Sequence, residues 1–337
     1  MMQLLDEILE EILCRLSVKC LFRYKCVSKS WLALISSPYF VKLHLKRSIQ
    51  TKRNLSLYLL NHLHCQEVFD FFQPVKVNYI PLMFQNYGLV PRGSYDGLLC
   101  MAKLGDVDNV FVWNPSIRKS IKLPYESRID FPNKKHTVWI CDYRIGYDNT
   151  NEDYKVVRIG GLQGRKGIID YEIKVYSLRS NSWHKIEKFS HFPNLNSFGD
   201  SVAGGALHWI TSTENLIVAF DLGIEKYRVL PQPEYRDSYY YLYLDNLCGC
   251  LSLTCRYISS STVDVFLLKE YGRKNEHWSR LITLSHPISS KIFNPTKPTV
   301  QKSPEEIMIY VVVGSMDLHI CLESLVDVPA CTLSMID

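Results

Sequence analysis

Between about residue 90 and residue 285 the chain keeps returning to one pattern. A turn of small residues leads into a strand, a second strand ends in a turn or polar residue, and a third short strand follows. Copies begin at residues 93–100, 204–209 and 248–253 and continue at 110–115, 217–222 and 263–268. The spacings from Leu98 to Trp113, Leu207 to Phe220 and Leu251 to Phe266 are 15, 13 and 15 residues. Third segments follow at 118–124, 227–231 and 277–282, and a divergent copy runs through 154–159, 173–178 and 182–186. A small antiparallel sheet cannot bury both of its faces alone, so such units stack and protect one another's edges. The pattern predicts an all-β, propeller-like domain. Blades of about 40–50 residues would number about six or seven from residue 48 to the end. An irregular β-sandwich or an open solenoid is the alternative architecture. Trp113, Trp183, Trp209 and Trp278 read as core, filling the space between sheets.

The first 45 residues follow a different rule. Leu5, Ile8, Leu9, Ile12, Leu13 and Leu16 recur at helical spacing and form one apolar stripe. Asp6, Glu7, Glu10 and Glu11 lie off that stripe near the amino end, where carboxylates suit the helix dipole, and Arg15 suits the other end. A second helix is predicted from about residue 20 to 27. A third runs from about 29 to 35, stopped by Ser36-Ser37-Pro38. Three short helices hold too little core to stand alone and are expected to bury apolar faces against a partner or the following domain.

Several strings make this segment resemble an F-box: Arg15-Leu16-x-Val18-Lys19, Lys25-Cys26-Val27-x-Lys29-x-Trp31 and Pro38-x-Phe40. Further along, Trp113-Asn114-Pro115-Ser116-x-Arg118, Gly146-Tyr147-Asp148 with Asp153-Tyr154-Lys155-Val156-Val157, and Val175-Tyr176-Ser177-Leu178 with Asn181-Ser182-Trp183 continue the likeness. Gly205-x-Leu207-His208-Trp209 and Glu323-Ser324-Leu325-Val326 complete it. Together they resemble the plant F-box proteins with an F-box-associated, kelch-like domain, including the S-locus F-box-like members. The fold implied is α+β overall: a three-helix F-box over residues 1–47, then an all-β, propeller-like domain over 48–337.

The resemblance implies a non-catalytic substrate-recognition subunit of an SCF-type ubiquitin ligase. The F-box would bind a Skp-type adaptor, and through it cullin, while loops of the β domain hold a protein target. By position, the adaptor would be met by Leu5, Ile8, Ile12, Leu16, Val18, Leu21 and Val27, with Trp31 bracing the helices from behind. Two departures bear on this. Leu4-Leu5 stands where the family has a Leu-Pro pair, and Ser17 stands where it has a second proline, so two rigid turn points are lost. An interaction module with weakened adaptor coupling is therefore the alternative function. A propeller enzyme or sugar-binding module is the third.

Composition narrows the choice. Eight Lys or Arg against four Asp or Glu give residues 1–47 a charge of +4, leaving +1 on the other 290 of the total of +5. A nucleic-acid receptor needs a basic face with stacking aromatics, and the large domain concentrates no such charge. The dense basic run from Lys42 to Arg47 reads as a solvated stretch joining the two domains. No apolar run is long enough to span a bilayer, the longest, 307–313, reading as a strand. Neither nucleic acid nor membrane is an expected partner, and the expected location is cytoplasmic or nuclear. Eleven cysteines without a Cys-x-x-Cys pair fit a reducing compartment. Cys248-x-Cys250 and His62-x-His64-Cys65 read as strand or loop rather than metal sites, and no cofactor is expected. No P-loop, Gly-x-Ser-x-Gly elbow or His-Glu-x-x-His motif is present. Candidate target loops are residues 125–136, 160–167, 191–200 and 235–241, the last offering Tyr235, Arg236, Tyr239 and Tyr241 as contact anchors.

Overall fold

The computed structural model describes residues 2–51, 55–59, 76–103, 106, 109–126, 138–165, 167–194, 202–247, 250–260, 262–285, 318–322 and 324–328. His62, His64, Cys65, Cys248, the run 307–313 and most of the segments 125–136 and 195–200 lie outside them. The chain divides into two compact units, one of residues 1–125 with 317–337 and the other of residues 126–316.

The first unit opens with four helices, α1 (Met2–Leu13), α2 (Val18–Tyr24), α3 (Lys29–Ser36) and α4 (Pro38–Thr51). Three were expected. The fourth arises because Pro38 begins a helix as well as ending one: a proline in the first turn gives up only an N–H that has no helical partner. Ser37 caps the new helix by accepting the Phe40 amide at 3.1 Å. The basic run Lys42–Arg47, expected as a solvated connection, lies within α4. It alternates between surfaces: His44 and Leu45 are buried while Lys42 and Lys46 face solvent. Helical periodicity, not charge density, decided its place.

Leu13, Cys14, Val18, Leu21, Ile35 and Phe40 form the helical core, with Leu9, Leu16, Trp31, Leu34, Val41 and Leu43 packed partly against it. The wide α1 stripe thus serves two surfaces, Leu9 and Leu13 inward, Ile8 and Ile12 outward.

The β part of this unit holds β1 (Leu55–Leu59), β2 (Lys76–Tyr79), a short α5 (Leu82–Asn86), β3 (Val90–Tyr95), β4 (Leu98–Ala102), β5 (Phe111–Asn114) and β6 (Lys119–Lys122). Strands β3 to β6 form an antiparallel meander in sequence order. Phe84 of α5 packs on it, 5.2 Å from Trp113 and 5.6 Å from Phe111, ring centre to ring centre. A strand from the far end of the chain (Leu318–Leu322) pairs antiparallel with β1, Leu57 opposite Ile320, and β1 pairs parallel with β2.

The second unit holds three four-stranded antiparallel meanders. The first comprises β7 (Val138–Asp148), β8 (Asp153–Gly164), β9 (Gly167–Ser177) and β10 (Ser182–Ile186). The second comprises β11 (Val202–Ala203), β12 (Ala206–Ile210), β13 (Ile217–Asp221) and β14 (Tyr227–Val229). The third comprises β15 (Tyr240–Leu247), β16 (Cys250–Tyr257), β17 (Thr262–Lys269) and β18 (His277–Ser285), and the terminal strand 318–322 is then β19. The fold is α+β with a propeller-like β domain. The described residues hold four four-stranded sheets and the three-stranded β19-β1-β2.

The sequence repeat marks the paired strands, but its spacing coincides with a residue pair in only one sheet, where Leu207 lies opposite Phe220. In the other two the partner is shifted along the strand: Trp113 lies opposite Leu99 and not Leu98, and Phe266 opposite Leu253 and not Leu251. Of the four tryptophans, Trp113 and Trp209 are buried, while Trp183 and Trp278 are half-buried. The stretch 160–167, expected as a loop, is mostly strand. A Cβ on Gly160 would come within 2.5 Å of the Trp139 ring, so glycine there admits an aromatic side chain and does not mark a turn.

Candidate functional site

The helices of the first unit are built by local capping. Ser17 Oγ accepts the Cys20 amide at 3.4 Å and starts α2, and Ser28 Oγ accepts the Trp31 amide at 3.2 Å and starts α3. Glu11 ties α1 to α4 through Arg47 at 2.7 Å and holds Arg15 one turn on at 2.5 Å. The two guanidinium groups hold its carboxyl down at about 2. His44 Nε2 meets the Leu16 carbonyl at 2.9 Å, locking the α1–α2 connection onto α4.

On this frame the residues expected to meet an adaptor separate into three groups. Ile8, Ile12 and Val27 are exposed at 50%, 54% and 59%. Leu16 is half-buried, and Val18 and Leu21 lie inside the helical core. Val18 and Leu21 hold the helices together and present no surface of their own. Leu5 belongs to α1, but its side chain is outside the described residues. Trp31 lies partly against the core, edge-on to Tyr24 with ring centres 5.6 Å apart. Phe22 and Leu32 are exposed apolar residues that sequence reasoning missed. Phe22 sits one turn after Lys19 on the outer face of α2, and only the location of the inward face in the structure reveals it.

A second feature lies where β5 ends. Asn114 is fully buried, and its Nδ2 donates to the Val326 carbonyl at 2.8 Å and to the Ser324 carbonyl and Oγ at 3.2 Å. Ser116 Oγ accepts the Ser324 amide at 3.1 Å, and Lys119 meets Asp327 at 2.7 Å. Leu325, between these anchors, is buried in the cluster of Leu13, Val18, Leu21, Ile35 and Phe40, and Ile117 packs partly against it.

The candidate target residues also separate. On and before β15, Tyr239, Tyr241 and Tyr243 are exposed and alternate with the buried Leu242 and Leu244, as side chains on a strand must. Tyr235 stacks on Tyr240 with ring centres 4.4 Å apart, and burial pushes its phenol well above the ordinary range. Arg236 is engaged internally: Nε lies 2.8 Å from the fully buried Asp264 carboxylate, and Nη2 donates to Thr283 Oγ1 at 2.6 Å.

Comparison with known proteins matches two families in the same order. The F-box domain matches residues 1–43, and the F-box associated beta propeller domain matches residues 61–311. The chain belongs to the F-box proteins with an F-box-associated propeller domain. This F-box protein is 32% identical to F-box protein CPR1 of Arabidopsis thaliana, over 90% of its own length and 78% of that protein's. A second F-box protein of the same plant matches at 30% identity over 87% and 77% of the two chains, and an F-box/kelch-repeat protein at 29% over 82% and 78%. F-box proteins are generally non-catalytic adaptor subunits, and this architecture belongs in general to substrate recognition in SCF ligases.

The motifs that carry the family likeness are structural in this F-box protein. Trp113 packs against Phe84, and Asn114 and Ser116 hold the carboxyl-terminal Ser324–Val326 segment. Gly146 lets β7 approach the next sheet, where a Cβ would come within 2.5 Å of Leu222 Cδ1. Asp148 and Lys155 form a buried ion pair. Lys155, read from sequence as a plain strand residue, is one, and the pairing shows why it is a lysine.

Proposed function

We propose that this F-box protein is the substrate-recognition subunit of an SCF-type ubiquitin ligase. In this reading Ile8, Ile12 and Val27 dock on a Skp-type adaptor, which connects to cullin, and the β domain presents a protein target in the cytoplasm or nucleus. One observation carries it: these apolar side chains stay exposed on helices whose inner face is already filled. Exposed apolar groups on a small helical unit mark a protein interface. The subunit brings target and ubiquitin-charged enzyme together and leaves the bond-making to the latter, since proximity alone removes much of an association barrier. The exposed tyrosines around β15 are the proposed target anchors, with Arg236 excluded because it neutralises Asp264.

The capped α2 start at Ser17 favours working adaptor coupling over a lost one, since the turn that a proline would rigidify is already fixed by a side-chain hydrogen bond. The test is co-purification of the full chain with a plant Skp-type adaptor, alongside Ile12→Asp and Val27→Asp. Both substitutions fall on exposed positions and are expected to leave the fold intact. Loss of adaptor with unchanged thermal unfolding is the expected result, and full capture by both folded variants would eliminate this interface.

A further inference from the structure

Four short helices of about fifty residues are below the size at which one core usually sustains itself, and this core is not closed by the helices alone. Its remaining member is Leu325, 274 residues beyond the end of α4 in sequence and 6% exposed. What brings Leu325 there is the buried Asn114. Its amide nitrogen bonds both sides of Leu325, at the Ser324 and Val326 carbonyls, while its Oδ1 accepts the Ser116 amide at 2.9 Å and fixes the turn that carries Ile117. A buried amide with its donors and acceptor satisfied specifies one arrangement, because any slip leaves polar groups unpaired in a low-dielectric interior. The backbone on either side reinforces it. Strand β19 leads into residue 324 and pairs along its length with β1, the strand that follows α4.

We infer that residues 324–328 are the closing piece of the F-box, and that Leu325 and Asn114 are positioning residues that seat the adaptor-binding helices on the β3–β6 sheet. These residues lie beyond both family matches, which end at residues 43 and 311. The inference rests on the adaptor-docking function proposed above and adds a condition to it. The surface bearing Ile8, Ile12 and Val27 is fully ordered only while the carboxyl-terminal segment is clasped, so adaptor affinity depends on a residue that does not touch the adaptor. Opening the β1–β19 pairing or removing the chain after residue 322 then weakens adaptor binding without altering the interface itself.

The test uses the full-length protein with Leu325→Ala, Leu325→Met and Asn114→Ala. Amide hydrogen exchange is followed in α2 to α4 and in β7 to β18, and the dissociation constant for a purified plant Skp-type adaptor is measured on the same samples. Leu325→Ala and Asn114→Ala are expected to speed exchange in the helices at least tenfold and to raise the dissociation constant at least fivefold, with β7 to β18 unchanged. Leu325→Met, which refills the volume, is expected to return both readings to within twofold of the parent. Helix exchange unchanged in both alanine variants would overturn the inference, as would acceleration spread equally through β7 to β18. A parent protein that fails to bind the adaptor at all removes the proposed function, and the exchange pattern then decides the seating by itself.

Discussion

Lys155 Nζ lies 2.9 Å from the Asp148 carboxylate, with both side chains almost fully buried. The same ammonium donates to the Leu222 carbonyl at 2.6 Å and meets Glu225 at 3.0 Å, so one cation ties the β7–β8 hairpin to the turn after β13. Asp148 in turn accepts the Thr150 and Asn151 amides at 2.8 and 3.0 Å, which shapes the hairpin turn. Burial works against charging the carboxyl, but hydrogen bonds from Asn151 and Lys155 outweigh it and hold Asp148 below its ordinary 3.8. Burial likewise opposes the Lys155 charge, and Asp148 and Glu225 outweigh it and raise Lys155 above 10.5.

Removing one member of such a pair strands the other. Lys155→Met is expected to destabilise the protein by about 3–5 kcal/mol, read from the urea midpoint.

The pH dependence of this pair has two limbs. A lowered carboxyl contributes stability that is present above 3.8 and lost as pH falls through its folded value. A raised ammonium contributes stability that is present below 10.5 and lost as pH rises through its folded value. The full contribution of the pair therefore spans pH 3.8 to 10.5. Lys155→Met should lose more stability relative to the parent at pH 7 than at pH 3, as denaturant titrations at the two values would show.

Arg236 and the neighbouring tyrosines should behave oppositely. Asp264 is fully buried, and besides Arg236 it is held by Thr283, by Tyr257 at 3.2 Å and by Arg280 at 3.7 Å. Arg236→Ala leaves part of that carboxylate unsatisfied and is expected to cost about 1–3 kcal/mol. The double change of Tyr239 and Tyr241 to alanine, on exposed positions, is expected to stay within about 0.5 kcal/mol of the parent. Thermal unfolding of the two variants separates support from surface.

Ser17→Pro tests whether the missing family proline matters. Ser17 has φ −66°, which a proline adopts without strain. The substitution gives up a cap worth about 0.5–2 kcal/mol and gains about 0.4–1 kcal/mol by restricting the unfolded chain. The variant is expected within about 1 kcal/mol of the parent by chemical denaturation, with adaptor affinity unchanged.

Gly146→Ala places a methyl against Leu222 and Val202 in a packed interior. An overfilled site of this kind is expected to cost about 1–3 kcal/mol, measured as a lowered unfolding midpoint.

Much of the fold was legible because its signals are local. The i, i+3, i+4 spacing of Leu5 to Leu13 specifies a helix whatever it packs on, although Leu16, which continues the spacing, falls in the turn beyond its end, and the strand-turn rhythm around Leu207 and Phe220 specifies a paired hairpin. Signals with two meanings were misread. Gly160 has the composition of a turn but serves close packing under Trp139, and Lys42 to Arg47 has the composition of a linker but lies in α4. The adaptor candidates fared similarly. Ile8, Ile12, Val18 and Leu21 are alike as apolar helical residues, and only the direction of the core distinguishes the exposed pair from the buried one.

By itself the sequence determined the first three helices, the repeated strands that follow them, and the family, because backbone propensity and side-chain period act over a few residues. Tertiary structure alone decided which apolar face remained exposed, that Arg236 answers Asp264, and that Leu325 closes the helical core. Each of these depends on groups brought together from distant parts of the chain, and burial and charge pairing have no energy to assign until those groups meet.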